Sequence, residues 1–131
     1  MSTTSTNRDI LIQIHEDAAA GHLDKVTARM SPDLVIYEPD YLPYGGVYKG
    51  PEGFEEVMAK AAPLFDISGL TLECIVADGD HVVTRNSEAF ADPESGRTDI
   101  LELWTLKDGL VTEIRVYWHI LPKSIDTNVP D

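Results

Sequence analysis

The chain has 131 residues, enough for one domain whose core needs no disulfide or metal staple, and its single cysteine, Cys74, excludes an internal disulfide. With 10 basic against 23 acidic residues the net charge is −13, so the surface repels phosphate backbones and nucleic acid is not an expected partner. No apolar run approaches the roughly 20 residues of a membrane helix, and the polar opening MSTTSTNRD lacks the apolar stretch of a secretory signal, so the expectation is a cytoplasmic protein without a membrane contact.

In chain order, Thr6 with Asp9 forms an N-cap pair and predicts a helix from Asn7 to Ala20, with Ile10, Leu11, Ile14 and Ala18 on one face. Gly21 terminates it. A shorter helix, His22 to Met30, buries Leu23, Val26 and Met30 and stops at Ser31-Pro32. Leu34 to Glu38 reads as a strand. The Pro-, Gly- and Tyr-rich segment Pro39 to Gly50 reads as an ordered loop. Pro51 opens a third helix carrying Phe54, Val57, Met58 and Ala61, and Pro63 disturbs its end.

From Leu70 the period changes to two: Leu70, Leu72, Cys74 and Val76 alternate with Thr71, Glu73, Ile75 and Ala77. Turn signals at Asp78-Gly79, at Asp92 to Gly96 and at Lys107 to Gly109 separate strands His81 to Ala91, Thr98 to Leu106 and Leu110 to Ile120. Residues 1–6 and the segment from Pro122 onward are expected to be loose tails of one domain spanning residues 1–131. Helices first and a strand meander after them give the α+β class.

Side-chain sorting assigns the strand faces. Leu110, Thr112, Ile114, Val116, Trp118 and Ile120 form the more apolar row of the last strand, opposite Val111, Glu113, Arg115, Tyr117 and His119. In the strand before it, Ile100, Glu102, Trp104 and Leu106 share a face, and a three-residue loop, Lys107 to Gly109, brings the two apolar rows together. Glu102 is the anomaly. A carboxylate on a buried face must be paired, protonated, or facing a cavity. The strand His81 to Ala91 presents either Arg85 and Ser87 or Asn86 and Glu88 to Glu102's row, and the pattern does not choose between them. No spacing of His, Cys and carboxylates suggests a metal, and no Ser or Cys sits in a nucleophile motif.

AGHLDKV (Ala20 to Val26), SPDLVIYEP (Ser31 to Pro39), YGGVYKGPEGF (Tyr44 to Phe54) and LELWTLKDGLVTEIRVYW (Leu101 to Trp118) together resemble the nuclear transport factor 2-like superfamily, in its SnoaL-like polyketide cyclase and ketosteroid isomerase branch. The resemblance implies a cone: three N-terminal helices packed on a curved, mainly antiparallel sheet around a hydrophobic pocket. It maps the isomerases' general base, in an acidic-Pro step after the first strand, onto Glu38, and their protonated oxyanion donor onto Glu102. The isomerases' helix-1 tyrosine falls on Ile14, with His15 beside it. The cyclases' acid near the end of the last strand falls close to His119.

The expected catalytic set is therefore Glu102, Glu38, His15 and His119. Ile14, Tyr44, Phe54, Met58, Trp104, Ile114, Val116 and Trp118 are the expected ligand-contacting wall. The activity implied is acid/base chemistry of the isomerase, dehydratase or cyclase type on a small hydrophobic molecule bearing a carbonyl or hydroxyl, with neither metal nor organic cofactor. The alternatives are a non-catalytic binding protein with the same cone, and an interaction module using the sheet's outer face. The resemblance also implies a homodimer through that outer face, where Arg115 and Tyr117 lie.

Overall fold

A computed structural model describes residues 2–121. The first helix, α1 (Thr3–Ala19), starts earlier than the Thr6 signal suggests, because Ser2 caps it by accepting from the Ser5 amide at 3.1 Å. Residues 3–6 are thus helical rather than a loose tail, whereas Met1 and residues 122–131 lie outside the described residues. Asn7, Ile10, Leu11, Ile14 and Asp17 form the buried side of α1. Gly21, at φ 79°, ends that stretch in the left-handed region.

The second helix, α2 (Leu23–Thr27), is shorter than expected. Met30, Ser31 and Pro32 belong instead to the first strand, β1 (Met30–Glu38). Pro32 is tolerated there because pairing shifts register between Met30 and Val35, where no ladder bond is required of it. The segment read as a loop contains an edge strand, β2 (Gly46–Lys49), followed at once by α3 (Gly50–Ala61) with Pro51 in its first turn. Only two helices precede the sheet, so the third of the expected N-terminal helices is a mid-chain one.

Four longer strands follow: β3 (Phe65–Asp78), β4 (His81–Phe90), β5 (Arg97–Lys107) and β6 (Leu110–Trp118). The sheet order is β2-β1-β6-β5-β4-β3, antiparallel throughout except that β1 and β6 run parallel. The β5–β6 turn has two residues rather than three. Lys107 pairs with Leu110, and Asp108 (φ 52°) and Gly109 (φ 81°) both take the positive dihedrals of a primed hairpin turn. The register then slips between Thr105 and Leu106, which brings Val111, not Leu110, onto the buried side with Ile114. A similar irregularity between Leu72 and Cys74 turns Ile75 and Ala77 toward the core and leaves Cys74 and Val76 exposed.

The core lies between α1, α2, α3 and one face of the sheet. It is built from Leu11, Val26, Leu34, Ile36, Val82, Leu106 and Val111, each almost fully buried. The buried indole of Trp104 is held by its N–H donating to Thr84 Oγ1 at 2.9 Å.

Candidate functional site

The register resolves which β4 residues share Glu102's face. Thr84 pairs with Glu102, Asn86 with Ile100 and Glu88 with Thr98, so Val82, Thr84, Asn86 and Glu88 point inward and Arg85 is exposed outside. Glu102 in turn pairs with Val116, and Tyr37 with Arg115, which sets Glu38 beside Val116 one step further along. Glu38, Val116, Glu102 and Thr84 therefore form one row across four strands, with Asn86 and Glu88 further along β4 on the same face.

Glu102 Oε1 accepts from Asn86 Nδ2 at 2.8 Å, so its partner is an amide rather than an arginine. Arg115 lies on the other face, stacked 4.1 Å over the Tyr37 ring and bonded to Glu113 at 3.1 Å. Burial pushes the Glu102 carboxyl up to about 7 against the opposing pull of hydrogen bonds from Asn86 and Thr84. Burial, then the charges of Glu102 and Glu88, push Glu38 up to about 8. Burial and Glu102 push Glu88 up to about 7. Burial and the charges of Glu38 and Glu88 also raise Tyr44, so its hydroxyl stays neutral and faces the same cluster.

Two acceptor atoms in this cluster are buried and lack a hydrogen-bond partner: Glu38 Oε2 and Asn86 Oδ1. Leaving such atoms unpaired is costly, and native interiors rarely do so without a reason. The surroundings suggest one. Glu38, Glu88, Glu102, Tyr44, Val116 and Trp118 are only half-buried although they sit on the covered face, whereas their row neighbours Ile36, Trp104 and Ile114 are closed off. These side chains keep accessible surface on the covered face, where the residues beside them are closed off. Trp118, Phe65 and Phe90 form an aromatic cluster at this end, with ring centroids 5.3 to 6.2 Å apart.

The other expected site residues sort as follows. His15 lies edge-on to Trp104 with centroids 6.0 Å apart. Its Nδ1–H donates to the Leu11 carbonyl at 2.8 Å, leaving Nε2 as the acceptor, and burial lowers its pKa so that the ring stays neutral. Ile14, Trp104 and Ile114 are packed into the core, with Phe54 at its margin. Met58, on α3, is 43% exposed. His119 is exposed beyond the end of β6, on the outward parity of that strand.

Glu88 and Asn86 join the site although the sequence left their parity open. The signal was the alternation Val82, Thr84, Asn86, Glu88, which needs the cross-strand register to be read. Among the described residues no group of three His, Cys, Asp or Glu side chains is arranged to hold a metal ion. A surface cavity of about 260 Å³ lies at the end of β1, lined by Tyr37, Glu38, Val47, Arg115, Val116 and Tyr117 but not by Glu102; another of about 430 Å³ lies at the opposite end beside Asn7 and Asp108.

Residues 12–114 match the SnoaL-like domain, and the chain belongs to that family. Its fold is shared by solved structures of low sequence identity. An NTF2-like protein of Burkholderia xenovorans LB400 is 18% identical with a TM-score of 0.71, over 88% of this chain and 91% of that one. A candidate ketosteroid isomerase of Kribbella flavida DSM 17836 is 15% identical at 0.74, over 96% and 97%. TerC, co-crystallised with polyporic acid, is 20% identical at 0.72, over 87% and 92%. No curated protein matches the sequence significantly.

Proposed function

We propose that the chain has a recess beside Glu38 and Glu102, binds a small, largely apolar molecule in it, and acts on that molecule by general acid/base chemistry of the isomerase, dehydratase or cyclase type. The observation that carries this reading is Glu38 Oε2, a buried carboxyl oxygen without a partner, in the same row as the carboxyl of Glu102. With pKa values near 8 and 7, one of the pair can hold a proton while the other accepts one at neutral pH, which is the match general acid/base catalysis needs. In this reading Glu38 moves the proton, Glu102 donates to a developing negative charge or exchanges roles with it, and Asn86 orients Glu102. His15, neutral and with Nε2 free to accept, is a second proton carrier across Trp104. Val116, Trp118 and Tyr44 shape the ligand's berth. That TerC, of the same fold, was crystallised with polyporic acid supports a small-molecule site on such a scaffold.

The test is proton exchange. A panel of apolar ketones incubated with the protein in heavy water, followed by NMR, should show accelerated deuterium uptake next to the carbonyl. Glu38→Gln and Glu102→Gln should each slow that uptake by about 10²–10⁴-fold. If both variants exchange at the wild-type rate, the acid/base role is wrong. Ligand binding without exchange would leave a binding protein of the same architecture. The reading includes a second copy of the chain on the sheet's outer face, supported by exposed Val76, Leu101 and Tyr117; sedimentation that returns a monomer at micromolar concentration would remove it.

A further inference from the structure

With its carboxyls ionised, the recess is rich in acceptors and poor in donors. Glu38 from β1, Glu88 from β4 and Glu102 from β5 face it, with the Asn86 carbonyl oxygen between the last two. β6 contributes Val116 and Trp118, which carry no charge. The Tyr44 hydroxyl faces the carboxyls from the loop before β2. His15, from α1, is neutral and offers only an acceptor nitrogen. Lys60 on α3 is held away by Glu56 at 3.1 Å, beyond the Tyr48 hydroxyl, which donates to the Tyr44 carbonyl at 2.5 Å. The charges acting on the three carboxyls are those of one another, and no described lysine or arginine offsets them.

Such a set is mismatched to an anion, and a carbonyl oxygen finds donors in it only when the carboxyls are protonated. It suits a ligand that brings its own positive charge and several N–H donors. The aromatic faces of Phe65, Phe90 and Trp118, adjacent to Glu88 and Asn86 on the inner face, suit the same charge and an apolar body.

We propose that the recess takes an organic ammonium ion, its charge set among the Glu38, Glu88 and Glu102 carboxyls and its apolar body resting on the Phe65, Phe90 and Trp118 rings. This rests on the reading of the recess as a small-molecule site and names the ligand's chemistry there. A bound cation favours the ionised carboxyls, so binding releases protons and tightens as the pH rises from 6 to 8, across the raised carboxyl pKa values of about 7 and 8.

Titration calorimetry with three probes of one shape tests it: phenethylammonium, phenethyl alcohol and phenylpropionate. The ammonium should bind at least about tenfold tighter than the alcohol, the size of one charge-assisted hydrogen bond. Phenylpropionate should be rejected. The heat of ammonium binding should differ between phosphate and Tris at one pH, reporting proton release, while that of the alcohol should not. Glu38→Gln and Glu88→Gln, checked for folding by thermal melts, should each weaken the ammonium about tenfold and remove the buffer dependence of its binding heat. Alcohol binding as tightly as ammonium overturns the cation proposal and keeps the small-molecule site. Preferred binding of phenylpropionate does the same. If none of the three binds, both readings fall.

Discussion

The covered face of the sheet has two halves of opposite character, built on the same four strands. One half, around Ile36, Val82, Trp104, Leu106, Val111 and Ile114, is closed and apolar, and the indole N–H of Trp104 is matched there by Thr84. The other, two to six residues further along the strands, holds Glu38, Glu88, Glu102 and Asn86, keeps accessible surface, and leaves two acceptors unmatched. The first half is arranged for stability. The second retains uncompensated polar groups that a stability-optimised interior would replace.

The comparison can be broken most directly at Trp104. Trp104→Ala removes the largest side chain of the closed half and should cost about 3–5 kcal/mol in urea denaturation. A loss below about 1 kcal/mol would mean that this half is not close-packed.

The open half should respond with the opposite sign. Glu38→Gln should stabilise the fold by about 1–3 kcal/mol at pH 8, where the wild-type carboxyl is partly ionised and unpaired, and have little effect at pH 5. Destabilisation at pH 8 would show that Glu38 has a structural partner.

The wild type carries a related signature. The three carboxyls bind protons more tightly folded, near 8, 7 and 7, than unfolded, near 4.5. Their stabilising contribution is therefore complete below about 4.5 and is lost as the pH rises through 7 and 8. His15 has the reverse sign, since its lowered pKa makes folding less favourable as the pH falls through 6.5 and below. Melting temperatures should accordingly fall between pH 6 and 8.5, and a flat or rising profile would contradict the buried carboxyls. The smallest effect is expected from Thr84→Val, which strands the Trp104 N–H at a cost of about 1–2 kcal/mol, read by the same denaturation experiment.

The closed half was largely legible in the sequence, because alternation around Ile100, Trp104 and Ile114 reports burial directly. Glu102 stood out for the same reason: it interrupts an apolar row. The rest of the site depended on register, which a single strand does not encode. Whether Arg85 or Asn86 met Glu102 was decided by the pairing of Glu88 with Thr98 across the Asp92 to Gly96 connection. The edge strand β2 stayed hidden behind Pro39, Pro43, Gly45 and Gly46, which read as a loop. The slip beside Asp108-Gly109 exchanged Leu110 for Val111, because a two-residue turn and a bulge use as many residues as the longer loop expected there.

The parallel pairing of β1 with β6 has a consequence for assembly in time. Glu38 belongs to the first strand made, while Val116, which sets it in line with Glu102, belongs to the last. As the chain emerges during synthesis, the Glu38 carboxyl meets water as an ordinary solvated acid. Closing that widest loop in the sheet is a slow, late event. Only then are the carboxyls forced together and their protons held. Proton uptake should therefore accompany docking of β6, so a pH indicator in a stopped-flow refolding experiment would time the birth of the site separately from the collapse of the core.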